Sequence, residues 1–293
     1  MNCETSFPIN IKSNKNQGNC INACDLQINY HTSNCIAANK EDHLSLKYDV
    51  VTEPPVIINN EGMDAYEVRI YSPSLNKFEG QSADAEIIIL HKSSLGKQQG
   101  LAICIPIKVN DTASNKSDKG LITEIVDQCL LYLPSPNMPR QNAQLKLSEF
   151  NLNQFIPMEQ PFIHYRSTIP FIGCSLQHIC VFGNKNDYVP IHSKTLTELK
   201  AIIKGHKYGS YHDTYFINNI GVKGLNDEAV VRCFHEVSIV ELNDASTIKT
   251  EGFTNIDTIV EKVNSVNVST IGAVIVGVCG VIYFASKVVK CKK

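Results

Sequence analysis

The chain has 293 residues, 43% of them apolar, enough to bury the core of one large domain with a further segment to spare. It carries 27 basic and 29 acidic residues, a formal charge of −2, but four of the lysines (Lys287, Lys290, Lys292, Lys293) crowd the last seven positions. The 23 basic and 29 acidic groups before them leave residues 1–286 at −6, which argues against a general nucleic-acid binder and confines any polyanion to a local basic patch.

Met1 to Ile9 lacks a basic start followed by a long apolar run, so no cleaved signal peptide is expected. Beyond it, short β-rich runs alternate with polar turns. Leu26–Tyr30, Leu44–Tyr48, Tyr66–Tyr71, Ala85–His91 and Leu101–Val109 are predicted strands, the last two buried on at least one face. Leu121, Ile125, Val126, Cys129 and Leu130 predict a helix over Gly120–Leu133; Leu196, Leu199, Ile202 and Ile203 predict another over Thr195–Lys204. Further strands are expected at Phe162–Tyr165, Ile179–Phe182 and Val230–Glu241. Residues 1–242 therefore read as one mostly β, mainly antiparallel domain, and 243–267 as a polar stalk.

After Lys262 no charge occurs until Lys287, and Val268–Ser286 is almost wholly apolar or small. Those 19 residues at ~1.5 Å each span about 28 Å, close to the ~30 Å hydrocarbon core of a bilayer. A transmembrane helix is expected over 268–286, with 287–293 as a basic tail. The positive-inside rule keeps that tail inside and places residues 1–262 outside, in a single-pass arrangement with the lipid bilayer as a partner.

Eleven cysteines precede or lie in this tail region, nine of them before residue 268. Cys20, Cys24, His31 and Cys35 have the residue types of a small zinc knuckle, but the strand predicted at Leu26–Tyr30 runs through the middle. A disulfide within the group, or free thiols, is the preferred reading. Asn110-Asp-Thr112, Asn115-Lys-Ser117 and Asn267-Val-Ser269 are sequons whose use stays open.

Several strings, taken in order, resemble one family. Phe7-Pro-Ile-Asn-Ile11 is similar to the opening of the α-carbonic anhydrases. Tyr71-Ser-Pro-Ser74 followed by Ala85-Glu-Ile-Ile-Ile-Leu-His91 resembles their paired zinc-binding strands, and Gly100–Lys108 the strand after them. His164-Tyr-Arg-Ser-Thr-Ile-Pro-Phe-Ile-Gly-Cys174 and Asn218-Asn219…Leu225-Asn226 resemble the family's later segments, so that the match spans about residues 6–242. The resemblance implies a domain with a central, twisted, mainly antiparallel sheet and a few short helices. The immediate Pro-Ile-Asn-Ile start, Leu225-Asn-Asp227 and the single C-terminal anchor resemble more narrowly the poxvirus envelope proteins built on this fold. That likeness implies a virion membrane location and attachment to host cells through glycosaminoglycan.

The same resemblance implies that the chemistry is gone. The family binds zinc through His-x-His on one strand and a third histidine on the next; here Arg69, Tyr71 and Ile88 occupy those positions. No His-x-His pair exists among the nine histidines, a guanidinium does not give up its proton to a metal, and isoleucine has no lone pair. The gatekeeping Thr–Glu pair falls on Pro170 and Leu75, and His43 lies near the proton-shuttle position. No catalytic residue, metal or cofactor is therefore expected. Glu86 matches the carboxylate that orients the third ligand, and an Arg69–Glu86 ion pair filling the old site is one expectation, escape of Arg69 to solvent the other. His91 matches a histidine outside the metal shell and is expected to be a hydrogen-bonded core residue. Cys174 aligns with a cysteine that in extracellular members bridges to one near the position of Cys3, which implies a Cys3–Cys174 disulfide.

Glycan binding needs lysines spaced to meet sulfates. The candidates are Lys12, Lys15, Lys40, Lys47, Lys92 and Lys97. Two readings stay open, a virion adhesin for host glycosaminoglycan and a protein–protein module binding a host receptor or another envelope protein; self-association is open as well.

Overall fold

Four successive apolar residues, Ile87 to Leu90, can all leave water only if their strand is covered on both faces. The computed structural model shows that arrangement. It describes residues 6–20, 23–49, 51–112, 121–132, 145–183, 188–205, 214–224, 237–243, 247–253 and 275–277. Ile87 and Ile89 enter one core with Val68, Ile70, Ile103 and Ile105, while Ile88 and Leu90 enter a second with Phe7, Tyr71, Leu75 and Cys104.

The main sheet has 14 strands. Ten form its continuous path: β1 (Asn16–Asn19), β2 (Ser33–Asn39), β3 (Leu44–Lys47), β4 (Glu61–Tyr71), β5 (Ala85–Ser93), β6 (Gly100–Val109), β7 (Leu145–Phe150), β8 (Phe162–Ile169), β9 (Gly173–Val181) and β10 (Tyr215–Asn218). In space they run β7-β2-β3-β4-β5-β6-β9-β8-β10-β1. Along that path only β6–β9 and β10–β1 pair in parallel, so the mainly antiparallel sheet expected from the sequence is present. Helices α1 (Leu121–Tyr132) and α2 (Ser193–Ile202) fall where the periodicity placed them. They bury Ile122, Ile125, Val126 and Cys129, and Leu196 and Leu199, against the first core. Asp111 caps α2 from outside its own segment, its carboxylate accepting the Ser193 N–H at 2.9 Å.

Cys20 and Cys24 are joined by a disulfide, and Cys35 is a buried free thiol. The knuckle therefore does not form: the β-strand Leu26–Ile28 intervenes and the two nearest sulfurs are spent on each other. Cys174 is disulfide-bonded; its expected partner Cys3 lies outside the described residues.

The chain divides into two compact units, residues 1–225 and 226–293. Val237–Asn243 pairs with Thr247–Phe253 and with Ile275–Gly277. Most of 268–286 lies outside the described residues. Its described part, Ile275–Gly277, is strand where a helix was expected; a continuous apolar run does not by itself separate the two. Among the described residues no helix is long and apolar enough to cross a membrane.

Candidate functional site

Side chains alternate along a strand, so Glu67, Arg69 and Tyr71 share one face of β4. Register sets Ser45 and Ile88 on either side of Arg69, and Glu86 beside Tyr71. The three positions expected for metal ligands are thus neighbours on one face, and they carry a cation, a phenol and a hydrocarbon.

Arg69 turns along its own strand. Its Nη2 donates to Glu67 Oε2 at 2.9 Å, its Nη1 reaches Tyr71 OH at 3.4 Å, and its guanidinium carbon sits 4.4 Å from the centre of the Phe171 ring. Glu67 Oε1 accepts Ser45 Oγ at 2.6 Å and lies 3.9 Å from His43 Nε2. Burial alone would push the Glu67 carboxyl up, but the hydrogen bonds from Arg69 and Ser45 outweigh it and hold it below its ordinary value. Burial likewise opposes the Arg69 charge, yet its bonds to Glu67 and Tyr71 leave it more firmly protonated than usual.

The expected Arg69–Glu86 pair is not made. Glu86, fully buried, is claimed by the turn after β4: it accepts Leu75 N–H at 2.8 Å, Asn76 N–H at 3.2 Å and Asn76 Nδ2 at 2.7 Å. Burial raises its carboxyl to about 7 against those three donors. Three hydrogen bonds already satisfy this carboxylate, while Glu67 is the nearer counter-ion for Arg69. Nor does Arg69 escape to solvent, since its side chain is only 15% exposed.

Hydrophobic groups surround these side chains. Leu75, Tyr71 and Ile88 are buried in one cluster, and Phe171 packs edge-on against Phe7 with ring centres 5.9 Å apart. Pro170 is exposed on the preceding turn. His43 is buried beside Tyr71, ring centres 5.0 Å apart, with Nδ1 2.7 Å from Asp42; burial holds it below the usual imidazole value despite that carboxylate. His91 is the core residue expected, its Nδ1 donating to Leu101 O at 3.1 Å and its Nε2 accepting Tyr30 OH at 2.8 Å.

The candidate lysines occupy different ends of the sheet. Lys12 and Lys15 flank a short turn next to β1, where Tyr215 OH binds the Lys12 carbonyl at 2.8 Å. Lys40 is exposed in the β2–β3 turn, and Lys47 is exposed opposite Glu67. Lys92 lies opposite Asp64 and Lys97 is 3.3 Å from Glu61, both at the far end of β4 from Tyr71. Sequence reasoning missed Glu67; its two-residue offset from Arg69 was the signal that could have found it.

No protein-family model matches the chain, and no curated protein matches its sequence. Solved structures do. Dioscorin, in a complex with ascorbate, is 14% identical with a TM-score of 0.56, covering 76% of this chain and 88% of its own. The α-carbonic anhydrase of Photobacterium profundum is 13% identical with a TM-score of 0.55, covering 73% and 88%. A carbonic anhydrase of Chlamydomonas reinhardtii in complex with acetazolamide is 14% identical with a TM-score of 0.54, covering 73% and 90%. The fold is therefore α-carbonic anhydrase-like, and Arg69, Tyr71 and Ile88, where the resemblance placed metal ligands, include no histidine.

Proposed function

We propose that this protein is a catalytically inactive carbonic anhydrase-like attachment protein. In this reading the chain is held in a virion membrane by residues 268–286, with residues 1–262 outside, and binds cell-surface glycosaminoglycan. Such an anchor requires Ile275–Gly277 to leave its strand pairing with Val237–Asn243. What supports the loss of catalysis is that Arg69, Tyr71 and Ile88, to which the resemblance gives the metal-ligand positions, offer no imidazole, and that Arg69 is engaged by Glu67 and the Phe171 ring instead. A scaffold without zinc-bound water has its surface left to work with, and the poxvirus resemblance supplies the glycan. Dispersal of the lysines to both ends of β4 favours a second reading, a protein partner gripped by a less charged surface.

Two measurements on the full chain test this. Supplied with zinc, it should hydrate CO₂ no faster than buffer; zinc-dependent hydration refutes inactivity. Retention on immobilised heparin should fall steeply between low and moderate salt, because exposed charges are screened within ~8–10 Å. Cell binding that ignores salt and heparin competition rejects the glycan and selects the protein partner.

A further inference from the structure

The opposite face of the sheet holds a group of side chains that the proposed function leaves unused. His164 on β8 and His178 on β9 stack with ring centres 5.3 Å apart, and His164 Nε2 lies 3.0 Å from His178 Nδ1. Burial keeps both imidazoles neutral, lowering them to about 3 and about 4. Cys20 and Cys24 lie beside them, the Cys24 N–H donating to Cys20 O at 2.9 Å. The two sulfurs and a ring nitrogen of His164 all fall within 4.8 Å of one another, and all three residues are buried.

The two cysteines are held in place by more than their disulfide. Cys20 N–H donates to Ile217 O at 3.0 Å, and Asn218 Nδ2 donates to Cys24 O at 2.9 Å, tying both to β10. Ala23, between the cysteines, is exposed, so the corner lies at the surface although the sulfurs themselves are buried.

We propose that reduction of the Cys20–Cys24 disulfide turns this corner into a binding site for a soft divalent cation, zinc above all, so that disulfide and metal are alternative occupants. A dithiol reductant supplies two electrons and two protons: the S–S bond breaks, two thiols form, and the reductant leaves as its own disulfide. Zinc then displaces the two thiol protons and is held by two thiolate sulfurs and one neutral imidazole, with water as the fourth ligand. Two Zn–S bonds of ~2.3 Å at the tetrahedral angle place the sulfurs about 3.8 Å apart, a span open to cysteines whose Cα atoms are 5.6 Å apart. With Nε2 of His164 engaged by His178, Nδ1 is the nitrogen left for the metal. His178 is then a positioning residue that fixes the tautomer and the ring.

The test uses the full chain, reduced with dithiothreitol, desalted under argon and titrated with Co²⁺ as a spectroscopic stand-in for zinc. The reduced chain should take up one cobalt with thiolate-to-cobalt charge-transfer absorption and strong tetrahedral visible bands, all displaced by zinc. The oxidised chain should show neither. Cys24→Ser should lose the bands and Cys129→Ser, a buried thiol elsewhere, should keep them. His178→Phe should keep them with affinity weaker by ~10–100-fold. Circular dichroism checks that each species is folded, and if Cys24→Ser is not, the oxidised and reduced wild type decide between them. A reduced, folded chain without the charge-transfer band, or a band that survives in a Cys20→Ser/Cys24→Ser variant, overturns the proposal.

Discussion

Replacing Glu67 by Gln tests whether Glu67 and Arg69 act as a coupled ion pair. Gln keeps the length and an acceptor for Ser45 but removes the charge facing Arg69. Removing one partner of a fully buried pair costs ~3–5 kcal/mol, because the other charge is stranded. Here the Arg69 and Glu67 side chains are 15% and 17% exposed, so some water reaches them. The Phe171 face at 4.4 Å still attracts the guanidinium. Discounting for both leaves a loss of about 2 kcal/mol, or a fall in Tm of ~4–8 °C in a domain of this size. Arg69→Met should cost less, since Glu67 keeps Ser45, and the double variant should lose clearly less than the two singles summed. Urea denaturation of the four proteins at pH 7 measures this cycle. Additivity within ~0.5 kcal/mol would mean that the pair is not coupled and would refute the reasoning. Acid gives a second reading. Glu67 has a depressed folded value, so its contribution is present above the ordinary carboxyl range and lost as pH falls through the folded one. The gap between wild type and Glu67→Gln should therefore shrink in acid.

Glu86 should behave with the opposite sign. Its folded value of about 7 exceeds the ordinary 4.5, so its contribution is complete below pH 4.5 and declines as pH rises through about 7. Glu86→Gln lacks that decline and sets an amide NH₂ against Asn76 Nδ2, which cannot flip while Asn76 Oδ1 accepts the Ile9 N–H at 3.0 Å. The variant should lose ~1–3 kcal/mol at pH 5 and less at pH 8; a deficit that grows with pH in urea titrations contradicts this. Tyr30→Phe strips His91 Nε2 of its donor and should cost ~1–2 kcal/mol in thermal unfolding, with an unchanged Tm as the contrary result. At Gly221, φ is +83° and an added Cβ would lie 2.5 Å from the Glu159 carbonyl carbon, so Gly221→Ala should lower Tm by several degrees. Gly224→Ala, with open space around it, should not, and equal melts would dismiss the argument. Charge reversal of Lys12, Lys15 and Lys40 should reduce heparin retention more than reversal of Lys92 and Lys97, of which Lys97 already faces Glu61; the reverse ranking in a salt gradient disproves that placement.

Much of the fold was legible because its central strands are extreme. The run Ile87-Ile-Ile-Leu90 and the stretch Leu101–Ile107 have few ways to be buried other than inside a covered sheet. Ser33–Asn39 was missed because its inward residues are Ser33, Cys35 and Ala37, small or weakly apolar side chains that give almost no alternation to read. The candidate site was legible by residue type and misread by partner. Alternation puts Glu86 on the Arg69 face, but nothing in a linear pattern tells that Leu75 and Asn76 fold back to satisfy it. His164 meets Cys20 and Cys24 from far along the sequence, a juxtaposition created by strand order alone.

The ten-strand path is a ribbon with two ends, Asn16–Asn19 and Leu145–Phe150. One is Asn-Gln-Gly-Asn, and the other carries Lys146, Ser148 and Glu149 among its apolar residues. Both are short, four and six residues, and the second carries charge, features that make an edge a poor template for another chain's backbone. Among the described residues, these two borders are therefore not where copies would be expected to join.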